Sequence, residues 1–169
     1  MLIGFAPSPI LDTGAVRRSR ERTNTMNHTI QVCIRCNFTK TAEEKDGRRG
    51  GAELYERLMK KIEAWPLRDR FAVEQTRCMG ACGNACVVAF QAPGKVSWIF
   101  GNLNPRFAIP GILEFAEKYL ADEKGMVAYT DRPADLAAGL IARLHPVGAK
   151  PSKAAAIAAG LETGGDCGS

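Results

Sequence analysis

Five of the six cysteines fall into two tight groups: Cys33-x-x-Cys36 and, about forty residues later, Cys78-x-x-x-Cys82-x-x-x-Cys86. Thiols spaced to close over one short turn chelate soft metals, whereas a disulfide framework spreads its cysteines over a small secreted fold. In a [2Fe-2S] centre each iron takes two thiolates, so two facing loops can supply four ligands drawn from Cys33, Cys36, Cys78, Cys82 and Cys86. The residues between the later three are small or flexible. Gly80 and Gly83 let the backbone wrap closely and aim N–H groups at sulfur, which stabilises negative charge there. The same four thiolates also make a closed tetrahedral zinc site with no redox role. A third chemistry, that of a thiol-disulfide oxidoreductase, is open to Cys33-x-x-Cys36 because the pair follows a strand.

The remaining candidates read more plainly. Cys86 has the character of a spare buried thiol, since free cysteine packs well as a small hydrophobe. Cys167 is an incidental thiol of the tail, and the isolated His28 and His145 read as surface or capping residues. Arg35, Lys40 and Arg77 lie close to the cysteines in sequence, where they offset the negative charge of a thiolate site or serve as solvated surface.

Strands and turns must deliver the two groups. Ile30, Val32 and Ile34 alternate along residues 28–34, the period of a half-buried strand that runs into the first pair. Asn37 to Gly50 is polar and aperiodic, which predicts a loop. Over residues 51–65, Leu54, Leu58, Ile62 and Trp65 recur at helical spacing, supported by the i,i+4 pairs Glu53–Arg57 and Glu56–Lys60, and Pro66 ends the helix. Phe71, Val73 and Gln75 alternate in a second strand that leads to Cys78.

Val87–Phe90 and Val96–Phe100 flank Ala92-Pro93-Gly94-Lys95, the chemistry of a type II turn, and so predict an antiparallel hairpin. Ile109, Ile112, Leu113, Ala116, Tyr119 and Leu120 mark a second helix. A third is predicted to start near Pro133 and to carry Leu136, Leu140 and Leu144 to a stop at Pro146. This order of elements describes one layered α/β domain over residues 27–146. Residues 1–26 read as a disordered N-terminal extension and 147–169, rich in Ala, Gly and Lys, as a disordered or frayed C-terminal tail.

The bulk composition limits the function classes. At 169 residues, 46% hydrophobic and 24% charged, the chain has material for one ordinary core. Its longest apolar stretches are strand-sized, so no membrane span is expected. The apolar start of the chain precedes the basic cluster Arg17, Arg18, Arg20 and Arg22, the reverse of a secretory signal, which makes the reducing cytoplasm the expected, cytoplasmic location. The net charge of +5 forms no dense basic stripe interleaved with aromatics, so no nucleic-acid partner is expected.

The residues Val32 to Cys36, the Cys78-x-Gly80-x-Cys82 loop followed by Val87 to Phe90, and Ala92-Pro93-Gly94-Lys95 with Phe100-Gly101 and Pro105 carry a resemblance. Over roughly residues 29–146 the chain resembles the DUF1636 family of bacterial metal-binding proteins, often encoded among cobalamin-biosynthesis genes. The second cysteine loop also resembles that of thioredoxin-like [2Fe-2S] ferredoxins. The resemblance implies a thioredoxin-like α/β domain, a mixed sheet with flanking helices, and a small ferredoxin-like electron carrier rather than an enzyme.

Carried over residue by residue, the resemblance implies a [2Fe-2S] cluster, or alternatively zinc, on Cys33, Cys36, Cys78 and Cys82, with Cys86 as the alternative ligand. The first pair is spaced more closely here than in those ferredoxins, and Cys86 stands where they have no ligand. The implied partners are redox proteins, among them a reductase of cobalamin metabolism, with a homodimer left open. Thioredoxin-type enzymes place a proline just before the strand that faces their dithiol. No proline lies between Arg77 and Val87, which weakens the oxidoreductase reading.

Overall fold

The computed structural model describes residues 27–148. The expectations for residues 1–26, for the tail from residue 149 onward and for Cys167 lie outside the described residues.

Strand β1 (His28–Cys33) is an interior strand of a five-stranded sheet. A tiny hairpin follows, β2 (Glu44–Lys45) with β3 (Arg48–Arg49), and then helix α1 (Gly50–Ile62). The chain continues through β4 (Phe71–Thr76), β5 (Val88–Gln91), β6 (Ser97–Phe100), α2 (Ile109–Ala121), a short α3 (Ala134–Ala138) and β7 (Leu140–Leu144). The sheet order is β4-β1-β5-β6-β7. β1 and β4 run parallel, in register from His28 opposite Phe71 to Cys33 opposite Thr76, and every other neighbour is antiparallel. A parallel βαβ unit followed by a hairpin and a helix is the thioredoxin-like layout that was expected.

Alternation along the strands sorts the side chains. Ile30 and Val32 of β1, Val88 and Phe90 of β5, and Trp98 and Phe100 of β6 all have negligible exposure on one face. Against them pack Leu54, Leu58 and Ile62 of α1 and Ile112, Phe115, Ala116 and Tyr119 of α2, which share one core with that face. Phe115 meets Phe90 and Phe100, each at 4.8 Å between ring centroids, an ordinary tilted or edge-on aromatic packing distance.

The hairpin turn is as the sequence predicts. Lys95 N–H donates to Ala92 O (3.2 Å) and Gly94 takes φ +72°, the left-handed value a type II turn requires. The Lys95 side chain then reaches past the turn to the end of α2, where its Nζ donates to the carbonyls of Tyr119 (2.9 Å), Leu120 (3.1 Å) and Asp122 (2.7 Å). A cation at the negative end of a helix satisfies carbonyls that have no intrahelical partner.

Three expectations need correcting. The third helix stops at Ala138, and Leu140–Leu144 forms an edge strand on β6. Gly101 N–H donates to Gly139 O (2.8 Å), which draws the chain against the open edge of β6 and ends the helix. The stretch from Asn37 to Gly50 is a loop only in part, because Asp46 and Gly47 adopt φ +54° and +74° and close the β2–β3 hairpin. Finally, His28 is a core residue and not a surface or capping one. It is only 5% exposed, with its ring against Phe71 and Tyr119.

Candidate metal centre

The five cysteines lie around one end of the sheet. β1 ends at Cys33 and the parallel β4 ends two residues before Cys78, so both cysteine loops leave adjacent strands at the same end. Ile34 N–H donates to Thr76 O (3.0 Å), carrying the parallel ladder one step beyond the strands. The first pair closes with Cys36 N–H on Cys33 O (3.4 Å).

The start of α1 rests on this turn. Gly51 N–H donates to Cys36 O (3.3 Å), and a Cβ added at Gly51 would lie 1.9 Å from Cys33 O. A Cβ at Gly50 would fall 2.7 Å from Cys86 Sγ. The two glycines therefore allow the helix to approach where no side chain fits. Just before them, Arg49 Nη1 donates to Arg35 O (3.1 Å) and lies 3.4 Å from Asn37 Oδ1, while its Nη2 donates to Glu43 (3.1 Å).

The second loop turns at Asn84, whose N–H donates to Ala81 O (2.9 Å), and is tied outward by Asn102 Nδ2 to Asn84 Oδ1 (3.1 Å). It then returns through Cys86 in the left-handed region, at φ +49°. That reversal turns the Cys86 side chain into the main core and leaves it unexposed, its Sγ donating to Asn37 O at 3.5 Å. It also directs Val87 N–H at Cys36 Sγ (3.4 Å), while Val87 O accepts from Cys33 N–H (3.0 Å). Gly80 N–H similarly points at Cys78 Sγ (3.3 Å).

The structure thus separates the thiols into an inner and an outer set. Cys33 and Cys36 are each 4% exposed and form a small cluster with Val87, against which Met79, Ala81 and Ile99 pack. Cys78 and Cys82 are exposed on the rim, and no disulfide joins any of the five. Burial pushes the Cys36 thiol up to about 12. The Val87 N–H opposes this, but a hydrogen bond with Cys33 and the nearness of Cys33 and Cys82 add to it. Burial likewise pushes Cys86 up to about 12, helped by Cys36, Glu53 and Cys33. The Cys36 and Cys86 thiols are therefore protonated at neutral pH, and only a cation brought beside them makes thiolates there.

As the loops stand, among the described residues no three His, Cys, Asp or Glu side chains converge closely enough to hold a metal ion. The donor chemistry nevertheless fits a thiophilic metal or an iron–sulfur cluster, with sulfurs from two adjoining loops and backbone N–H groups aimed at two of them. Val87, Arg49, Asn37 and Asn102 were not singled out by sequence reasoning. Gly50-Gly51 at a helix start was the available signal that something packs closely there.

The fold and its paired cysteine loops define a small thioredoxin-like α/β protein with a thiol-lined sheet end. The family model described as "Protein of unknown function (DUF1636)" matches residues 30–146, and the chain belongs to that family. No curated protein matches the chain. Two solved structures of a thioredoxin-like [2Fe-2S] ferredoxin from Aquifex aeolicus are similar in chain path. One is 20% identical, covering 73% of this chain and 97% of its own, with a TM-score of 0.44. The other, of the wild-type protein, is 22% identical, covering 68% and 96%, with a TM-score of 0.43. No helix among the described residues is long and apolar enough to cross a membrane.

Proposed function

We propose that this protein is a small electron carrier holding one [2Fe-2S] cluster on Cys33, Cys36, Cys78 and Cys82. The observation that carries the reading is the departure of both cysteine loops from adjacent parallel strands at one sheet end, with the Cys36 thiol in the electrostatic reach of both Cys33 and Cys82. Cys33 and Cys36 would be the inner ligands and Cys78 and Cys82 the outer pair. Loading requires the glycine-containing loop between Arg77 and Cys86 to fold inward. Gly80 and Gly83 give the loop the backbone freedom for such a rearrangement.

When bound, such a cluster supplies one-electron exchange, with a potential set by hydrogen bonds to sulfur, local charge and solvent access. In this chain the Val87 and Gly80 N–H groups donate to sulfur, the sheet end shields the inner pair, and the exposed rim gives access to a partner. Cys86 is turned into the core beside α1 and serves packing rather than ligation. From the family resemblance, the partner is a redox protein such as a reductase of cobalamin metabolism, and the location is the cytoplasm.

Zinc on the same sulfurs is the second reading, because four thiolates from two loops also make a closed tetrahedral site for a soft divalent cation. A dithiol enzyme is disfavoured by burial, because an attacking thiol must be reachable by its substrate and Cys33 and Cys36 are each only 4% exposed.

Anaerobic purification decides between the first two readings. The carrier is brown, holds about two irons and two acid-labile sulfides per chain, and gives a paramagnetic signal on reduction. Colourless protein with stoichiometric zinc establishes the alternative. Serine at Cys33, Cys36, Cys78 or Cys82 is expected to abolish the cluster, while Cys86→Ser keeps it. Loss in Cys86→Ser with retention in Cys82→Ser would reverse the ligand assignment.

A further inference from the structure

The charge around the cysteine loops is one-sided. No Asp or Glu occurs between residues 27 and 42 or between residues 75 and 113, the two stretches that carry all five clustered cysteines. Of the cations there, Arg35, Lys40 and Arg77 are exposed, while Lys95 and Arg106 are half-buried and engaged elsewhere. Arg35 and Arg77 follow the ends of the adjacent strands β1 and β4, at the first turn and at the entry to the second loop, and so share one end of the sheet. Lys40 lies on the other flank, lining an open recess with Thr39, Ala85, Asn102 and Asn104.

Nearby carboxylates are already engaged: Glu43 and Glu44 with Arg49, Glu53 with Arg57 and Arg106, and Glu74 with Gln31. Among the described residues, Arg35, Lys40 and Arg77 have no carboxylate within 4.0 Å. Between these flanks, Gly80 and Gly83 present bare backbone with open space over each Cα, beside the exposed Cys78 and Cys82. A partner surface can therefore come into contact with the loop itself.

We infer that this sheet end is a docking face for a protein partner with a carboxylate-rich surface, engaged by Arg35 and Arg77 on one side of the cysteine loop and by Lys40 on the other. The inference deepens the electron-carrier reading by giving its partner a chemistry. Like-signed partners are repelled at the face where electrons leave, and acidic ones are steered to it at rates that fall with ionic strength.

The test uses the full-length protein as isolated and a fluorescein-labelled decaglutamate peptide as the acidic probe, with anisotropy as the readout. Binding is expected at about 20 mM salt and is lost by about 300 mM, where the screening length falls below about 6 Å. The triple variant Arg35→Glu/Lys40→Glu/Arg77→Glu is expected to bind about tenfold more weakly or worse. Lys60→Glu/Lys61→Glu, on the exposed surface of α1 away from the cysteines, stays within about twofold of the parent. The milder Arg35→Gln/Arg77→Gln pair, checked for an unchanged melting midpoint, guards against a folding defect and is expected to weaken binding by about threefold or more.

Equal losses in the rim and α1 variants, affinity unchanged in the rim variants, or no binding at low salt would each overturn the inference. Iron and sulfide are assayed separately on the same preparations. Colourless protein whose peptide binding still depends on the rim refutes only the carrier, and brown protein with rim-independent binding refutes only the docking face.

Discussion

Replacing Gly51 with alanine tests the contact on which the candidate centre is built. The new Cβ would lie 1.9 Å from Cys33 O and 3.0 Å from Cys33 C, both of them backbone atoms that no side-chain rotation can move aside. Real Cβ contacts below 3.0 Å are essentially absent, so the helix start and the cysteine turn must separate by about 1 Å. That separation stretches the 3.3 Å bond from Gly51 N–H to Cys36 O beyond hydrogen-bonding range. Overpacking costs about 1–3 kcal/mol and the lost bond about 1 kcal/mol more, against a gain of up to about 1 kcal/mol from alanine's better helix propensity.

A net loss of about 2 kcal/mol follows. For a domain of about 120 residues, with an unfolding entropy near 0.25 kcal/mol/K, that lowers the melting midpoint by roughly 8 °C. Thermal unfolding followed by circular dichroism reads the shift, and urea unfolding reads the free energy. Gly83→Ala is the matched control, because its added Cβ meets nothing within 4 Å; its midpoint should hold or rise slightly. A Gly51→Ala protein that melts within about 2 °C of the parent would refute the packing of α1 on the Cys33 turn.

Other expectations concern the far end of the sheet. Lys95→Met removes the donor shared by the carbonyls of Tyr119, Leu120 and Asp122, and should cost roughly 1–3 kcal/mol in urea unfolding, with α2 the element that frays. His28 is held below its ordinary value first by burial and then by the charges of Lys95 and Arg70. The unfolded chain therefore binds a proton that the folded chain refuses, so stability is full above about pH 6.5 and falls as the pH drops below it, by at most about 1.4 kcal/mol per pH unit. His28→Phe should flatten that limb in urea titrations between about pH 7 and pH 5. An unchanged slope in the variant would remove His28 from the account.

Much of the fold was legible because its signals were strictly periodic. Ile30 and Val32 alternate into the core, Leu54, Leu58 and Ile62 mark the buried face of α1, and Pro93-Gly94 encodes its own turn. His28 was legible too, since it continues the inward set of Ile30 and Val32 by the same period, but its polarity suggested the surface. Leu136, Leu140 and Leu144 at four-residue spacing imitate a helix. Only the three-dimensional vacancy beside β6 makes the second half of that run a strand, and Leu144 remains 54% exposed on it.

In the candidate centre, sequence spacing pointed to two loops but not to which thiols face inward. That division depends on the left-handed backbone at Cys86, a conformation no composition rule assigns to cysteine. The positioning roles of Arg49 and Val87 were equally hidden, since Arg49 donates to the backbone carbonyl of Arg35 and Val87 donates its own amide to the Cys36 sulfur, each to a residue distant in sequence.

Val87 is a single residue with two attachments: its amide hydrogen faces one sulfur of the first pair, and its oxygen holds the amide of the other cysteine. Whatever changes the electron density on Cys36 consequently alters the polarity of Val87, and with it the end of the β1–β5 ladder. Deuterium uptake at Val87 and Cys33 thus becomes an internal gauge of what the sulfurs hold, readable in solution without any chromophore.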